Sequence, residues 1–362
     1  MGRSPTVNHN MPKGMRPRRQ KSGKVYYYLE VYKDKRTEIA LGDDYLEALK
    51  KYAEYKGARP EDLVIVTFKD AMDAYFKSRY FLKLATRTQS DYLACQTKLL
   101  EFFNDPPASL ESINASNIES FMEWRGANSQ RRANYEYSVF SIIWNYARRK
   151  GMTNKANPCE GVPKFVLEPR DVYVEDDIYL AIYEMACEPV RDAMDLAYLT
   201  GQRPADVFKM DETVIKDETI LVKQNKSRKK IRLRIEGDLK VVIDRILARK
   251  KKNAVYSLAL VCNEKGSRIT QDAVAKRFRK IRTRVITKYP QMASELGKFQ
   301  FRDLRAKSAT DIYEEIDAQS AQHLLGHSDV KTTDIYIRSI NGKEVSPNIA
   351  NDKIRRAIIS RA

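Results

Sequence analysis

From residue 67 to residue 152 the chain carries four consecutive stretches with apolar side chains at helical spacing: TFKDAMDAYFKSRY, TRTQSDYLACQTKLLEFF, NASNIESFMEWRG and RRANYEYSVFSIIWNYARRKG. Apolar residues recurring every three or four positions line one face of a helix, and that face must be buried against a neighbour. Four such segments in a row predict an independent helical bundle, here rich in Lys, Arg and Tyr. The flanks follow other rules. VYYYLEVYKDKRTEIALG alternates aromatic or branched residues with polar ones, the period of strands, and DDYLEALKKYAEYKG then reads as a helix with an Asp start and a Gly stop. A small three-stranded sheet with one helix is therefore expected over about 25–57, with GARPED and Pro60 marking its boundary, while residues 1–25 read as a flexible basic arm.

Beyond the bundle, NKANPCEGVPKFVLEPRD contains three prolines and reads as an extended linker. A mixed domain starts near residue 173. EDDIYLAIYEMACE, VRDAMDLAYLTG, QDAVAKRFRKIRTRVITKY and FRDLRAKSATDIYEEI have helical patterns, whereas TILVKQNKSRKKIRLRI reads as a hairpin with a polar turn near Asn225–Lys229.

Charge narrows the function. Sixty-six Lys and Arg against 48 Asp and Glu leave a formal +18, a field that attracts polyanions, DNA or RNA first among them. Clustering argues against merely solvated lysines: no acid precedes Glu30, while Arg16, Arg18, Arg19, Lys21 and Lys24 crowd one segment. A hydrophobic share of 43% over 362 residues is that of an ordinary globular chain of two or three domains. No run of about 18 apolar residues exists to span a membrane, and the N-terminus lacks the apolar stretch of a secretory signal. Cys95, Cys159, Cys187 and Cys262 form no CxxC pair, which fits a reduced cytosolic chain better than a disulfide framework or a zinc site.

Two of the three histidines lie four apart in HLLGHSDVKTTDIYIR, residues 323–338. Such a pair can bind zinc, but HLLGH lacks the glutamate of HExxH, Gly326 interrupts the helix and no third ligand stands nearby. A core or cap role suits His323, and His327 less well. Ser328 and Asp329 offer N-cap chemistry, and KTTDIYIR is expected to restart a short helix, capped by Thr332 or Thr333, with Tyr336 on it. One tyrosine among 21 is ordinarily structural unless other groups can activate it.

Arginines in unusual places are such groups. In DLAYLTGQRPADVFKM one helix ends at Gly201 and another begins at Pro204, so Arg203 takes a cap position where Ser, Asp or Asn is usual. In FRDLRAKSATDI the stripe Phe301, Leu304, Ser308, Ile312 takes in Arg305, and a charge on a buried face requires a buried partner or an anionic ligand. Lys226 stands near the hairpin tip, where Lys223, Lys229 and Lys230 make a simple phosphate contact the plainer reading.

TGQRPADV, QNKS in a hairpin, FRDLR and HLLGHSDVKTTDIY occur in the order and context of the tyrosine recombinase (phage integrase) family, and the last is similar to that family's LGHxxxxTTxxY almost letter for letter. Arm, sheet and bundle resemble the layout of lambda-type integrases, so the resemblance spans essentially the whole chain. It implies a mainly α fold with small β elements: a basic arm and small N-terminal sheet-and-helix DNA-binding domain over 1–64, a helical core-binding domain over 65–160, a linker over 161–172, a mixed α+β catalytic domain over 173–345 and a tail over 346–362. Position by position, Arg203 matches the first catalytic arginine, Lys226 the hairpin lysine, Arg305 the second arginine, His327 the later histidine and Tyr336 the nucleophile. One position departs. Where the family most often has His three residues before the second arginine, this chain has Arg302, a phosphate donor but a poor base.

The resemblance implies site-specific DNA recombination through a 3′-phosphotyrosyl intermediate, integrating or excising a phage or mobile element. Two arginine forks suit the extra negative charge of a phosphorane-like transition state without a metal. A free tyrosine ionises near about 10, so cationic surroundings favour its attack. Lys226 would protonate the leaving 5′-oxygen, and His327 would bind the phosphate or accept a proton. No GxxxxGK[ST] loop and no acidic Mg²⁺ cluster occur, so neither a cofactor nor a metal is expected. Implied partners are double-stranded DNA at core and arm-type sites, a homotetramer on that DNA, and a host DNA-bending protein and excision factor, in the bacterial cytoplasm at the nucleoid and away from any membrane. Arg228 and Lys229 join Arg16, Arg18, Arg19, Lys21 and Lys24 as expected DNA contacts, and the amphipathic end at Ile354, Ala357 and Ile358 is expected to pack on a neighbouring subunit. Two other readings stand beside this one: topoisomerase-like nicking and religation, and a non-catalytic DNA-binding protein on the same fold. An assay of exchange between two sites against simple relaxation separates them.

Overall fold

The computed structural model describes residues 11–32, 35–57 and 65–337, and divides into two compact units, the first ending at Pro169 and the second starting at Arg170. In the first unit three antiparallel strands, β1 (Met15–Arg19), β2 (Val25–Tyr32) and β3 (Arg36–Gly42), form a sheet in that order. Alternate residues of the sheet turn inward, so Met15, Tyr27, Leu29 and Leu41 meet Tyr45, Ala48 and Leu49 of α1 (Tyr45–Tyr55) in a small core. The Asp44 carboxylate caps α1 by accepting from the Glu47 N–H.

The expected flexible arm is corrected here. Residues 15–19 form an edge strand, with Arg16 opposite Tyr28 and Arg18 opposite Tyr26. Their charges are matched across the sheet, Arg16 to Glu30 at 2.8 Å and Arg18 to Glu38 at 2.9 Å. Lys24 pairs with Asp43, while Arg19 and Lys21 are exposed.

Four helices follow: α2 (Phe68–Phe76), α3 (Arg79–Leu82), α4 (Thr86–Phe103) and α5 (Ala115–Arg149). Phe68, Phe103, Phe121, Phe140 and Trp144 are fully buried and dominate their core. The last two expected helices run on as one, α5, broken only by the non-helical backbone of Ser129. Across that kink the buried Glu136 carboxylate accepts from Arg125 Nε at 2.7 Å. The linker's first part is docked: Phe165 exchanges main-chain hydrogen bonds with the Asn134 amide, and its ring fills the space that a side chain at Gly126 would need.

The second unit packs α6 (Asp176–Met185), α7 (Glu188–Thr200), α8 (Pro204–Val207), α9 (Gly237–Lys252), α10 (Gln271–Lys288), α11 (Ala293–Lys298), α12 (Leu304–Glu315) and α13 (Ala318–Leu325) around one apolar core, with α14 (Val330–Asp334) against α13. A three-stranded antiparallel sheet runs β4 (Ile215–Lys216), β5 (Thr219–Lys223), β6 (Lys230–Arg234), so the expected hairpin gains a short third strand. Helix α9 was not foreseen; its Arg249 and Arg245 clasp the buried Asp192 of α7. The tail and the first ten residues lie outside the described residues. No described helix is long and apolar enough to cross a membrane.

Candidate active site

Helix α7 ends at Gly201, whose φ of +60° makes the left-handed turn that frees the next residues from the helix. Its open side matters equally: a Cβ there would meet Leu324 at 2.8 Å, and the Gly201 carbonyl accepts from Arg305 Nη1 at 2.6 Å. Arg203 caps α8 without a side-chain hydrogen bond to it, as Pro204 at the first helical position leads the chain on. The Arg203 guanidinium is thus free to reach sideways, to Gln224 Oε1 at 3.4 Å.

Arg305 occupies the buried face expected from the stripe and is only 2% exposed. Besides Gly201 O it donates from Nη2 to Leu325 O and to His327 Nε2, each at 3.0 Å, while its Nε is buried without a partner. Burial, then the charge of Arg203, push Arg305 below the ordinary arginine value to about 10, with Tyr336 and Asp206 pulling the other way. It remains cationic at neutral pH.

His327 follows Gly326, a left-handed cap at φ +68° that ends α13 and lets Gln224 and Ile231 approach closely. Arginine can only donate, so Nε2 is the accepting nitrogen and Nδ1–H donates to Thr333 Oγ1 at 3.0 Å. Burial, then Arg305, Arg203 and Lys229, push the imidazole down to about 4, so it is neutral at physiological pH.

Tyr336 sits just beyond α14, after its C-cap Ile335, and not on the helix as expected; the cap at the other end is Asp329, which accepts from Lys331 N, in place of Thr332 or Thr333. Thr333 is fully buried against His327 and cannot serve as a surface cap. The half-buried Tyr336 ring lies 5.3 Å from the imidazole, and Arg305 Cζ stands 5.0 Å from the ring centre. Four expected residues therefore converge: Arg203, Arg305, His327 and Tyr336. Lys226, Arg228 and Lys229 are exposed on the β5–β6 turn, and Arg302 is exposed on the turn before α12, all outside the buried cluster.

A supporting set was missed. Gln224 donates to Gln202 Oε1 and Leu325 O and accepts from Ser227, while Gln202 donates to Thr200 O and Leu324 O. Asp206, buried, accepts from the Asn225 N–H at 2.9 Å and so fixes the base of the turn that carries Lys226. These glutamines, 22 positions apart, bridge their two loops to the end of α13 more than a hundred positions away, and nothing in the sequence beside them marks that role. Only Asp206 had a cue, as a carboxylate three residues after Arg203.

Residues 173–342 match the phage integrase family. The integrases of Enterobacteria phage 434 and Escherichia phage lambda are each 26% identical to this chain, over 82% of its length and 86% of theirs. Residues 173–342 are thus a catalytic-type domain of the phage integrase family of tyrosine recombinases. Tyrosine recombinase XerC of Caldanaerobacter subterraneus subsp. tengcongensis is also 26% identical, over 63% of this chain and 65% of its own. A lambda integrase dimer bound to a COC′ core site shares the fold with a TM-score of 0.68 at 22% identity, covering 94% of this chain and 99% of that one. This recombinase is accordingly a site-specific recombination enzyme with a mainly helical fold and small antiparallel sheets. Its buried cation, neutral imidazole and phenol are a set suited to phosphate chemistry. Among the described residues no group of three or more His, Cys, Asp or Glu side chains could hold a metal ion.

Proposed function

We propose that Tyr336 is the nucleophile of DNA strand cleavage and that Arg203, Arg305 and His327 form its phosphate site. The carrying observation is the buried contact of Arg305 with His327 and Tyr336, in which a cation without a carboxylate partner lies against a phenol. A DNA phosphodiester supplies the missing anion. Arg305, through its unpartnered Nε, and Arg203 bind the non-bridging oxygens, where negative charge grows in the transition state. The Tyr336 oxygen bonds to phosphorus as the bond to the 5′-oxygen breaks. Lys226 gives the leaving oxygen its proton when the turn carrying it meets the DNA. The phenol proton goes to His327 Nε2, which is free to accept it once Arg305 turns Nη2 to the phosphate. The 3′-phosphotyrosyl ester retains the bond energy, so a 5′-hydroxyl from a second strand reverses the step without a nucleotide cofactor.

Arg302 acts as a donor to the phosphate side of the site, since its guanidinium cannot serve as a base. Around the chemistry, the bundle of residues 65–160 and the catalytic domain of 173–345, joined by 161–172, hold duplex DNA mainly through phosphates, with Arg228 and Lys229 among the contacts. The sheet of the 1–64 segment, with Arg16, Arg18, Arg19, Lys21 and Lys24, holds a second, arm-type site. A homotetramer on paired duplexes follows by analogy with the lambda integrase tetramer bound to a Holliday junction. Integration or excision of a phage or mobile element in the bacterial cytoplasm, with a host bending protein and an excision factor, completes the reading.

Tyr336→Phe tests it. On a nicked suicide substrate the wild type should accumulate a covalent protein–DNA adduct, while the Phe variant should bind the same DNA with unchanged affinity and form none. Adducts on the Phe variant would show that another residue attacks.

A further inference from the structure

Residues 170–175 run without regular structure into α6, and Arg170, Tyr173 and Asp176, the first residue of α6, meet Asp303, Lys307 and Asp311 at the start and along one side of α12. Arg170 binds the buried Asp303 carboxylate with both sides of its fork, Nε to Oδ1 at 2.8 Å and Nη2 to Oδ2 at 2.6 Å, and reaches Lys298 O at 2.5 Å. The Tyr173 hydroxyl donates to Asp311 Oδ1 at 2.7 Å. Asp176 accepts from the buried Lys307 ammonium at 2.6 Å, and Lys307 also donates to the Tyr173 oxygen at 3.1 Å. Two ion pairs of opposite polarity thus flank the Tyr173 contact: Arg170 on Asp303, Asp176 on Lys307.

Positions 303, 307 and 311 drift only about 40° per step around a helix, so they form one face. Arg305, two residues after Asp303, lies about 200° round the same axis and points the other way, to Gly201, Leu325 and His327. Asp303 also closes the turn before α12 by accepting from the Gln300 N–H at 2.8 Å, so the residue between Arg302 and Arg305 is held from both sides. We infer that the 170–176 strap fixes the rotation and axial position of α12 and thereby aims Arg305 at the scissile phosphate, with Arg170 and Asp303 as positioning residues for strand cleavage. Neither touches the reacting atoms. The proposal rests on the phosphate role of Arg305 given above.

The test is Arg170→Ala in the full chain, with Arg170→Lys alongside, since lysine keeps the charge but not the two-pronged grip. Adduct formation is timed at saturating DNA, on an ordinary phosphodiester and on a methylphosphonate at the same linkage, which removes one non-bridging charge that Arg305 would neutralise. On the ordinary linkage both variants should be slower by about tenfold to a hundredfold, the cost of a small misplacement of a catalytic group. DNA affinity should stay within about threefold of wild type, as expected where the loss appears in the transition state alone. On the methylphosphonate the gap to wild type should shrink to within a few-fold, because a misaimed Arg305 no longer matters there. An equal defect on both linkages, a defect in DNA affinity alone, or wild-type rates on both would overturn the strap. Should Arg170→Ala fail to fold, Arg170→Lys carries the same comparison. A wild-type chain that forms no adduct removes the underlying phosphate reading, and the strap with it; adducts with the wild type but not with Tyr336→Phe leave that reading standing while the strap is judged.

Discussion

Arg18 on the N-terminal sheet and Arg305 in the second unit are both set against a tyrosine ring, 4.8 Å from the centre of Tyr28 and 5.0 Å from that of Tyr336. Their charges are handled in opposite ways. The Arg18 side chain is 60% exposed and donates to both Glu38 oxygens, so water and a carboxylate share its charge. Arg305 is 2% exposed and meets two carbonyls, a neutral imidazole and no carboxylate. A buried charge without a counter-ion is costly, and a fold keeps one where a ligand brings the missing charge. The Arg18 arrangement shapes a surface. The Arg305 arrangement stores an unmet electrostatic demand, which the proposed phosphate would answer.

The largest expected effect lies in the buried member. Arg305→Lys keeps a positive charge but loses the fork that spans Gly201 O, Leu325 O and His327. Adduct formation on the suicide substrate should fall by about 10²–10³, the usual cost of removing an aligned transition-state donor. DNA affinity should change little, because most of the proposed phosphate contacts lie elsewhere. Lysine performing as well as arginine would mean that charge alone suffices and that the contrast with Arg18 has no catalytic meaning.

Arg305 was legible in the sequence because a charge on an apolar stripe violates a simple rule, and Arg203 because it stands between Gly201 and Pro204, where a polar cap belongs. Strand β1 was not legible. Five residues reading MRPRR look like a solvated arm until Glu30 and Glu38, on two other strands, are seen to neutralise them. Gln202 and Gln224 escaped for a related reason: their partners at Leu324 and Leu325 are brought to them only by the tertiary fold. Helix α9 is a different kind of miss. Leu239, Val242, Ile243 and Ile246 are buried at helical spacing, so its signal was present locally and was passed over. The position of Tyr336 past α14 turned on Asp329 outcompeting the threonines as cap, with Thr333 withdrawn to hold His327.

An intermediate effect comes from His327, which shares the field of Arg305. Its folded-state value near 4 lies below the ordinary 6.5, from burial first and then from Arg305, Arg203 and Lys229. Between those values the unfolded chain binds a proton that the folded site refuses, so stability falls as pH drops from 6.5 towards 4 and is indifferent to this group above that range. His327→Gln supplies an acceptor for Arg305 and a donor for Thr333 without titrating. The melting temperature of the wild type should decline more steeply than that of the variant across that window, and the two curves should run parallel above it. Parallel curves throughout would mean that the imidazole does not feel the guanidinium.

The smallest effect belongs to the exposed pair. Glu38→Gln removes the counter-ion of Arg18, and since the two side chains are 60% and 32% exposed, water takes over most of the solvation. Exposed ion pairs contribute about 0–1 kcal/mol, so the melting temperature should move by only a few degrees at most. Binding is the more sensitive readout. The substitution raises the net charge of the sheet face by one and frees a guanidinium for phosphate, so non-specific DNA affinity should rise with a salt dependence steeper by about one released ion. A loss of more than about 2 kcal/mol would place Glu38 with the buried carboxylates that hold structure, as Asp303 does for Arg170. Unchanged salt dependence would mean that this face meets no phosphate, and the sheet's arginines would then serve the fold alone.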